Sequence, residues 1–183
     1  VTIKDFHFAI LSLTIFVTLT IFLLIFGMVF FKLLHLKSKR IKDWFHYGLM
    51  ISLRVLIYSN FVSTLRIIKS KGEDFKKPAM LIANHQSHID IALILLLHPR
   101  LLELTNDRVQ NSKLYGPLVK MAEFFAISEG MESLTPKLRK NVEEGYSVLI
   151  FPEGTRSPDT HIQRFHKGAF YLARELDIDI LPV

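Results

Sequence analysis

Apolar residues fall along this chain in three successive patterns. Residues 8–31 are 24 consecutive uncharged, mainly apolar positions, and as an α-helix they would rise about 36 Å at 1.5 Å per residue. That is enough to span a bilayer. Apolar character around the whole circumference favours membrane insertion over burial in a soluble core. The run is too long for the core of a cleaved signal peptide, and no small-residue cleavage site follows it. Residues 44–68 are also apolar, but His46, Arg54, Asn60 and Arg66 interrupt them and Tyr47 and Tyr58 stand among them. This second pattern predicts one or two interfacial helices, or one long helix partly embedded; the alternative is a helix that packs on the following domain.

From residue 71 onward, short strand-like runs alternate with helical ones. Ala79-Met80-Leu81-Ile82-Ala83 reads as a buried strand, and residues 88–97 as a helix stopped by Pro99. Residues 106–112 are polar enough for a loop. Residues 113–122 read as a helix broken near Gly116-Pro117, leading into an aromatic strand at 124–127. An amphipathic helix is predicted over 131–144, beginning near Ser133 or Thr135, with Pro136 in its first turn and Gly145 as its stop. Residues 146–151 form the clearest strand, rich in branched and aromatic side chains. This alternation predicts an α/β fold, a mixed sheet flanked by helices, preceded by an N-terminal transmembrane helix and an interfacial helical segment. The domain boundaries follow: 1–36 for the anchor, 37–70 for the interfacial segment and 71–183 for one α/β domain. The chain starts at Val1 and stops at Leu181-Pro182-Val183, directly after a strand-like run, which reads as an excised piece.

Charge refines this picture. Lys32, Lys37, Lys39, Arg40 and Lys42 follow the first apolar run, whereas only Lys4, offset by Asp5, precedes it. The positive-inside bias therefore puts the α/β domain on the cytoplasmic side of a membrane that the chain crosses once or enters in part. A net charge of +6 and a pI near 9.6 suit an anionic lipid surface, and membrane lipids are the expected partners. Nucleic acid is not expected, because no aromatic RNA-binding signature or recognition-helix pattern accompanies the charge. The absence of Cys agrees with a reducing compartment. There is no zinc-type ligand spacing and no internal repeat, so no metal or resident cofactor is expected.

Two segments carry chemistry. In Asn84-His85-Gln86-Ser87-His88-Ile89-Asp90, His85 sits on a strand-to-helix turn and Asp90 in the first helical turn, able to fold back toward the imidazole. A carboxylate there would take the Nδ1 proton and leave Nε2 free to accept a proton from a hydroxyl. Ser87 and Asp90 also make a serviceable capping pair. His88 is an alternative base or a metal ligand, though a histidine at a helix start is more often a solvated or hydrogen-bonded bystander. Ser87 lacks the elbow expected of a nucleophile. The other segment, Phe151-Pro152-Glu153-Gly154-Thr155-Arg156-Ser157, follows the clearest strand: Pro152 ends the ladder and Gly154 permits a sharp turn. Arg156 with the Thr155 and Ser157 hydroxyls would bind phosphate, while a surface turn held by a Glu153/Arg156 ion pair is the plainer reading.

Together and in this order, the segments resemble the glycerolipid acyltransferases typified by 1-acyl-glycerol-3-phosphate acyltransferase. His85-x4-Asp90 is similar to the family's first block, residues 151–157 match its third, Lys167-Gly168-Ala169-Phe170 is similar to the stretch that follows, and Leu181-Pro182-Val183 resembles the start of its fourth. About 60 residues separate the first and third blocks. The resemblance covers roughly residues 65–183, and such proteins continue beyond this point.

The resemblance implies transfer of a fatty acyl group from an acyl thioester, acyl-CoA or acyl carrier protein, to the hydroxyl of a lysophosphatidic acid-like glycerolipid. In that reaction His85 and Asp90 act as base and orienting acid, and Glu153, Gly154, Thr155, Arg156 and Lys167 bind substrate. One departure bears on the acceptor: where the second block carries an Arg, this chain has Ser128 or Glu129. Arg156, Arg164, Lys167 or Lys120 would have to supply the charge. Two alternatives follow, a non-glycerophosphate lipid acceptor and a membrane lipid-binding module without catalysis.

Overall fold

The computed structural model describes residues 3–35, 38–58, 75–87, 89–113, 115–157, 159 and 161–183. The chain divides into two compact units, Val1–Asp74 with Leu95–Pro99, and Phe75–Ile94 with Arg100–Val183.

The first unit is a helical hairpin. α1 (Ile3–Gly27) continues into a π-helical turn, Met28–Leu33, and α2 (Lys39–Tyr58) returns beside it. Phe45 is the pivot: its ring lies 6.3 Å from Phe26 and 5.5 Å from Phe31. At Gly48 a Cβ would stand 3.1 Å from Leu23 Cδ2, so the missing side chain lets the helices approach. One stretch, Ile10–Phe31, is long and apolar enough to cross a membrane. Thr14 and Thr18 inside it donate to carbonyls one turn back, at Ile10 and Thr14, which keeps their hydroxyls satisfied without water. On α2 the side chains of Trp44, Tyr47, Ile51, Val55 and Tyr58 are exposed at helical spacing, while Lys42 and His46 are buried with Phe45, Leu49 and Met50. The expected interfacial segment is thus helical as far as Tyr58, and its continuation to residue 68 lies outside the described residues.

The second unit is a five-stranded sheet flanked by helices. Its strands are β1 (Ala79–Ile82), β2 (Leu101–Thr105), β3 (Phe125–Ala126), β4 (Ser147–Ile150) and β5 (Asp179–Pro182), in the spatial order β3-β2-β4-β1-β5. The α/β architecture is as expected, but the sheet is not mixed: every pairing among the described strands is parallel. The physical reason is that a helix follows each of the first four strands. α3 (Asp90–Leu95), α4 (Asp107–Gln110), α5 (Gly116–Met121), α6 (Met131–Glu143) and α7 (Gly168–Leu176) carry the chain back to the same end each time. Both faces of the inner strands are then covered, which is why Met80-Leu81 and Val148-Leu149-Ile150 are apolar without alternation. Met80, Leu104, Val148 and Ile150 meet Leu134 and Leu138 of α6 and Ala169, Leu172 and Leu176 of α7 in one core cluster.

Several local expectations shift. α6 begins at Met131, directly after Gly130 at φ 78°, so Pro136 lies inside the helix instead of in its first turn. Pro117 starts α5 instead of breaking a longer helix, and residues 106–112 contain α4, with the Asn106 side chain accepting from the Val109 N–H. The aromatic strand stops at Ala126, where a 3₁₀ turn, Ile127–Glu129, takes over.

Candidate active site

β1 and β4 are neighbours in parallel register, with Ile82 opposite Ile150. Both predicted segments therefore leave the sheet side by side at the carboxyl ends of its central strands, the usual place for a ligand in a parallel sheet.

β1 is followed by a loop segment at residues 83–87, and α3 starts at Asp90. Asp90, at the start of α3, folds its carboxylate back over this loop, and one oxygen, Oδ2, receives three donors. The His85 Nδ1 is at 3.1 Å, and the backbone N–H groups of Gln86 and Ser87 are at 2.7 Å each. Because a carboxylate only accepts, Nδ1 holds the proton and Nε2 is left as the basic nitrogen. Burial works against the Asp90 charge, but the Ser87 and Gln86 N–H groups and the His85 imidazole outweigh it and hold the carboxyl below its ordinary 3.8. The Asp90 carboxylate thus caps the Ser87 N–H and hydrogen-bonds the His85 ring at once. Ser87 uses its own hydroxyl to accept the Ile89 N–H. His88, the alternative base, lies outside the described residues.

After β4, Phe151 stacks on the His85 ring, with centroids 4.2 Å apart and 25° between planes. Gly154 takes φ 71°, a left-handed conformation that suits glycine, and its N–H closes a turn on the Phe151 carbonyl. A Cβ at Gly154 would meet the His166 ring at 3.4 Å. Glu153 is buried, and its two oxygens accept the backbone N–H groups of His85 at 2.7 Å and Gln163 at 2.8 Å. The Glu153/Arg156 ion pair of a plain surface turn is therefore not formed: among the described residues Arg156 has no ion-pair partner. Thr155, Arg156 and Lys167 are exposed, Lys167 directly before α7.

The structure thus gathers His85, Asp90 and Glu153 into one hydrogen-bonded constellation, with Gly154, Thr155 and Arg156 on the exposed loop that follows. At the second-block position neither candidate is free: Ser128 donates to Asp107 and Glu129 pairs with Lys137. Three contributors escape sequence reasoning: Phe151 as the platform beneath His85, and the backbone N–H groups of Gln163 and Ser157, the latter donating to the His85 carbonyl at 2.7 Å. Phe151 could have been found from its place directly after β4; backbone donors leave no residue-type signal.

Comparison with known proteins points the same way. The model of the acyltransferase family matches residues 62–183. The chain is 32% identical over 123 residues to 1-acyl-sn-glycerol-3-phosphate acyltransferase from Cocos nucifera, covering 63% of this chain and 40% of that protein. It is 30% identical over 113 residues to the human 1-acyl-sn-glycerol-3-phosphate acyltransferase beta, covering 58% and 41%. To the lyso-ornithine lipid O-acyltransferase of Pseudomonas aeruginosa it is 30% identical over 119 residues, covering 63% and 46%. The chain thus spans less than half the length of these relatives. In fold it is similar to the crystal structure of the 1-acyl-sn-glycerophosphate acyltransferase PlsC from Thermotoga maritima, with a TM-score of 0.72, 19% identity, and coverage of 98% of this chain and 75% of that one.

Proposed function

Since the chain belongs to the acyltransferase family, we propose that it transfers a fatty acyl group from an acyl thioester to the hydroxyl of a lysophosphatidic acid-like glycerolipid. The observation that carries this reading is the His85–Asp90 pair, which leaves Nε2 as a base beside an exposed loop bearing Arg156.

The steps follow from that geometry. Nε2 of His85 takes the proton from the acceptor hydroxyl as its oxygen attacks the thioester carbonyl. The negative charge of Asp90 stabilises the imidazolium that forms. When the tetrahedral intermediate collapses, the C–S bond breaks and the imidazolium returns the proton to the leaving sulfur. No acyl group is attached to the protein at any stage. Arg156, exposed with Thr155 beside it, provides a fork of donors for the acceptor phosphate, and Lys167 adds charge. Acyl-CoA and acyl carrier protein are both suitable donors. The span Ile10–Phe31 would anchor the chain in a membrane, where its lipid acceptor resides, and the lysines after it favour a cytoplasmic catalytic unit.

A second reading, a lipid acceptor without a glycerophosphate, is motivated by Ser128 and Glu129, which are engaged with Asp107 and Lys137 where a phosphate-binding Arg is expected. The likeness to a lyso-ornithine lipid acyltransferase supports the same alternative. One assay decides between them. Thiol release from acyl-CoA is followed with lysophosphatidic acid, lysophosphatidylcholine and lyso-ornithine lipid as acceptors, with His85→Ala as control. Turnover with lysophosphatidic acid alone, abolished by His85→Ala, is the expected result. Turnover only with lyso-ornithine lipid would favour the second reading, and unchanged turnover in His85→Ala would overturn the assignment of the base.

A further inference from the structure

The loop after β4 holds His85 from three directions. The Phe151 ring supports the imidazole face, the Ser157 N–H binds the His85 carbonyl at 2.7 Å, and Glu153 Oε1 receives the His85 N–H at 2.7 Å. The other oxygen of Glu153 receives the Gln163 N–H at 2.8 Å. Glu153 is only 4% exposed. A carboxylate at that depth is stable when hydrogen bonds replace its hydration. Here the donors come from the main chain of two loops that lie 78 residues apart in sequence, at positions 85 and 163. Neither residue belongs to a helix or strand, so no ladder or helical bond supplies these N–H groups with another acceptor.

On the acyl-transfer reading above, we infer that Glu153 is a positioning residue: its buried carboxylate staples the main chain of His85 to the 161–166 segment and so fixes where the base stands. Asp90 orients the ring through Nδ1, and Glu153 anchors the backbone from which the ring projects. Both Glu153 oxygens face protein donors, so the group has a structural task that an acceptor ligand would not need. Gln in its place offers one oxygen and one NH₂, and the NH₂ opposes one of the two backbone N–H groups. One loop must then move away, carrying either the base or the neighbouring segment with it. A displacement of about 1 Å at a reacting group lowers turnover on the order of 100-fold.

The test combines kinetics of Glu153→Gln with amide hydrogen exchange of the full chain. The expected result is a kcat reduced on the order of 100-fold, with the KM for lysophosphatidic acid within about twofold of the native value. His85 and Gln163 amides should exchange slowly in the native chain although they lie in loops, and at least about tenfold faster in Glu153→Gln. A raised acceptor KM with kcat preserved would make Glu153 an acceptor ligand and overturn the inference. Rapid exchange of both amides in the native chain would overturn it too, and that measurement needs no folded variant. Absence of turnover in the native chain would sink the acyl-transfer reading alone, because protection of the two amides is read independently of activity.

Discussion

Asp90→Asn keeps the size of the side chain and one acceptor oxygen while removing the charge, so it isolates what the carboxylate contributes. Three donors converge on Asp90 Oδ2: His85 Nδ1 at 3.1 Å and the Gln86 and Ser87 N–H groups at 2.7 Å. A hydrogen bond to a charged acceptor contributes about 1.5–3 kcal/mol and a neutral one about 0.5–1.5. Neutralising all three would cost about 3 kcal/mol at full burial. The Asp90 side chain is 21% exposed, and solvent screening reduces the loss to about 1–2 kcal/mol, or roughly 5 °C in the unfolding midpoint of a chain this size. On the acyl-transfer reading proposed above, activity should suffer more. The Asn NH₂ can turn toward Nδ1 and favour the tautomer that puts the proton on Nε2, where the base is needed, and the imidazolium loses its counter-charge. Since general-base catalysis contributes about 10²–10⁴-fold, kcat should fall on the order of 10³-fold, or about 4 kcal/mol. The stability difference has its own pH signature. Because the folded-state value of Asp90 is lowered from 3.8, its contribution is complete above that pH and is lost as pH falls through the folded value. Thiol release at neutral pH and denaturant unfolding between about pH 2 and 7 measure both effects. A kcat within about threefold of native, or a stability advantage unchanged at the acid end, would refute the reasoning.

Other substitutions probe the surrounding fold. Burial of Glu103 in β2 pushes its carboxyl up from 4.5 to about 7, so the native state retains a proton that the unfolded chain releases. Stability is then fullest below 4.5 and falls as pH rises toward about 7, by about 3 kcal/mol at about 1.4 per unit. Glu103→Gln should therefore be more stable than the native protein at pH 8 by up to that amount and nearly equal to it at pH 4, as checked by urea titration at both pH values. Gly154→Ala forces an L side chain into φ 71°, which costs about 1–2 kcal/mol and should lower the midpoint by a few degrees in a thermal scan. Leu138→Ala empties a fully buried position in the α6/α7 core, and urea unfolding should show a loss of about 2–5 kcal/mol.

What the sequence made legible was local. The His85–Asp90 pair spans five positions and one helical turn, so its geometry follows from where α3 begins. The Ile10–Phe31 span follows from composition alone. Where the reading missed, a longer-range or backbone effect decided. Pro136 suggested a helix start because Pro suits a first turn, but Gly130 at φ 78° begins α6 earlier, and the ring is accommodated within the helix. Asn106-Asp107 is a capping signal read as loop polarity, and it starts α4. The resemblance implied that Glu153 binds substrate, but no sequence signal showed its carboxylate to be buried against main-chain donors. Those donors lie 68 residues away at His85 and 10 away at Gln163, and backbone groups are the same at every position.

The parallel sheet is what makes this site possible, so the correction from a mixed to a parallel sheet bears directly on function. With β1 and β4 parallel, Ile82 and Ile150 lie opposite each other and the two chains leave the sheet together. That places the His85 N–H 2.7 Å from the Glu153 carboxylate and Phe151 beneath the imidazole. Were β1 antiparallel to β4, the turn after β1 would emerge at the opposite end of strands four residues long, about 13 Å away at 3.3 Å per residue. No side chain of Glu length bridges that distance, and His85 would lose its ring platform and both main-chain anchors. The order of the motifs in the chain therefore functions only through the helices between them, whose crossovers return every strand in the same direction.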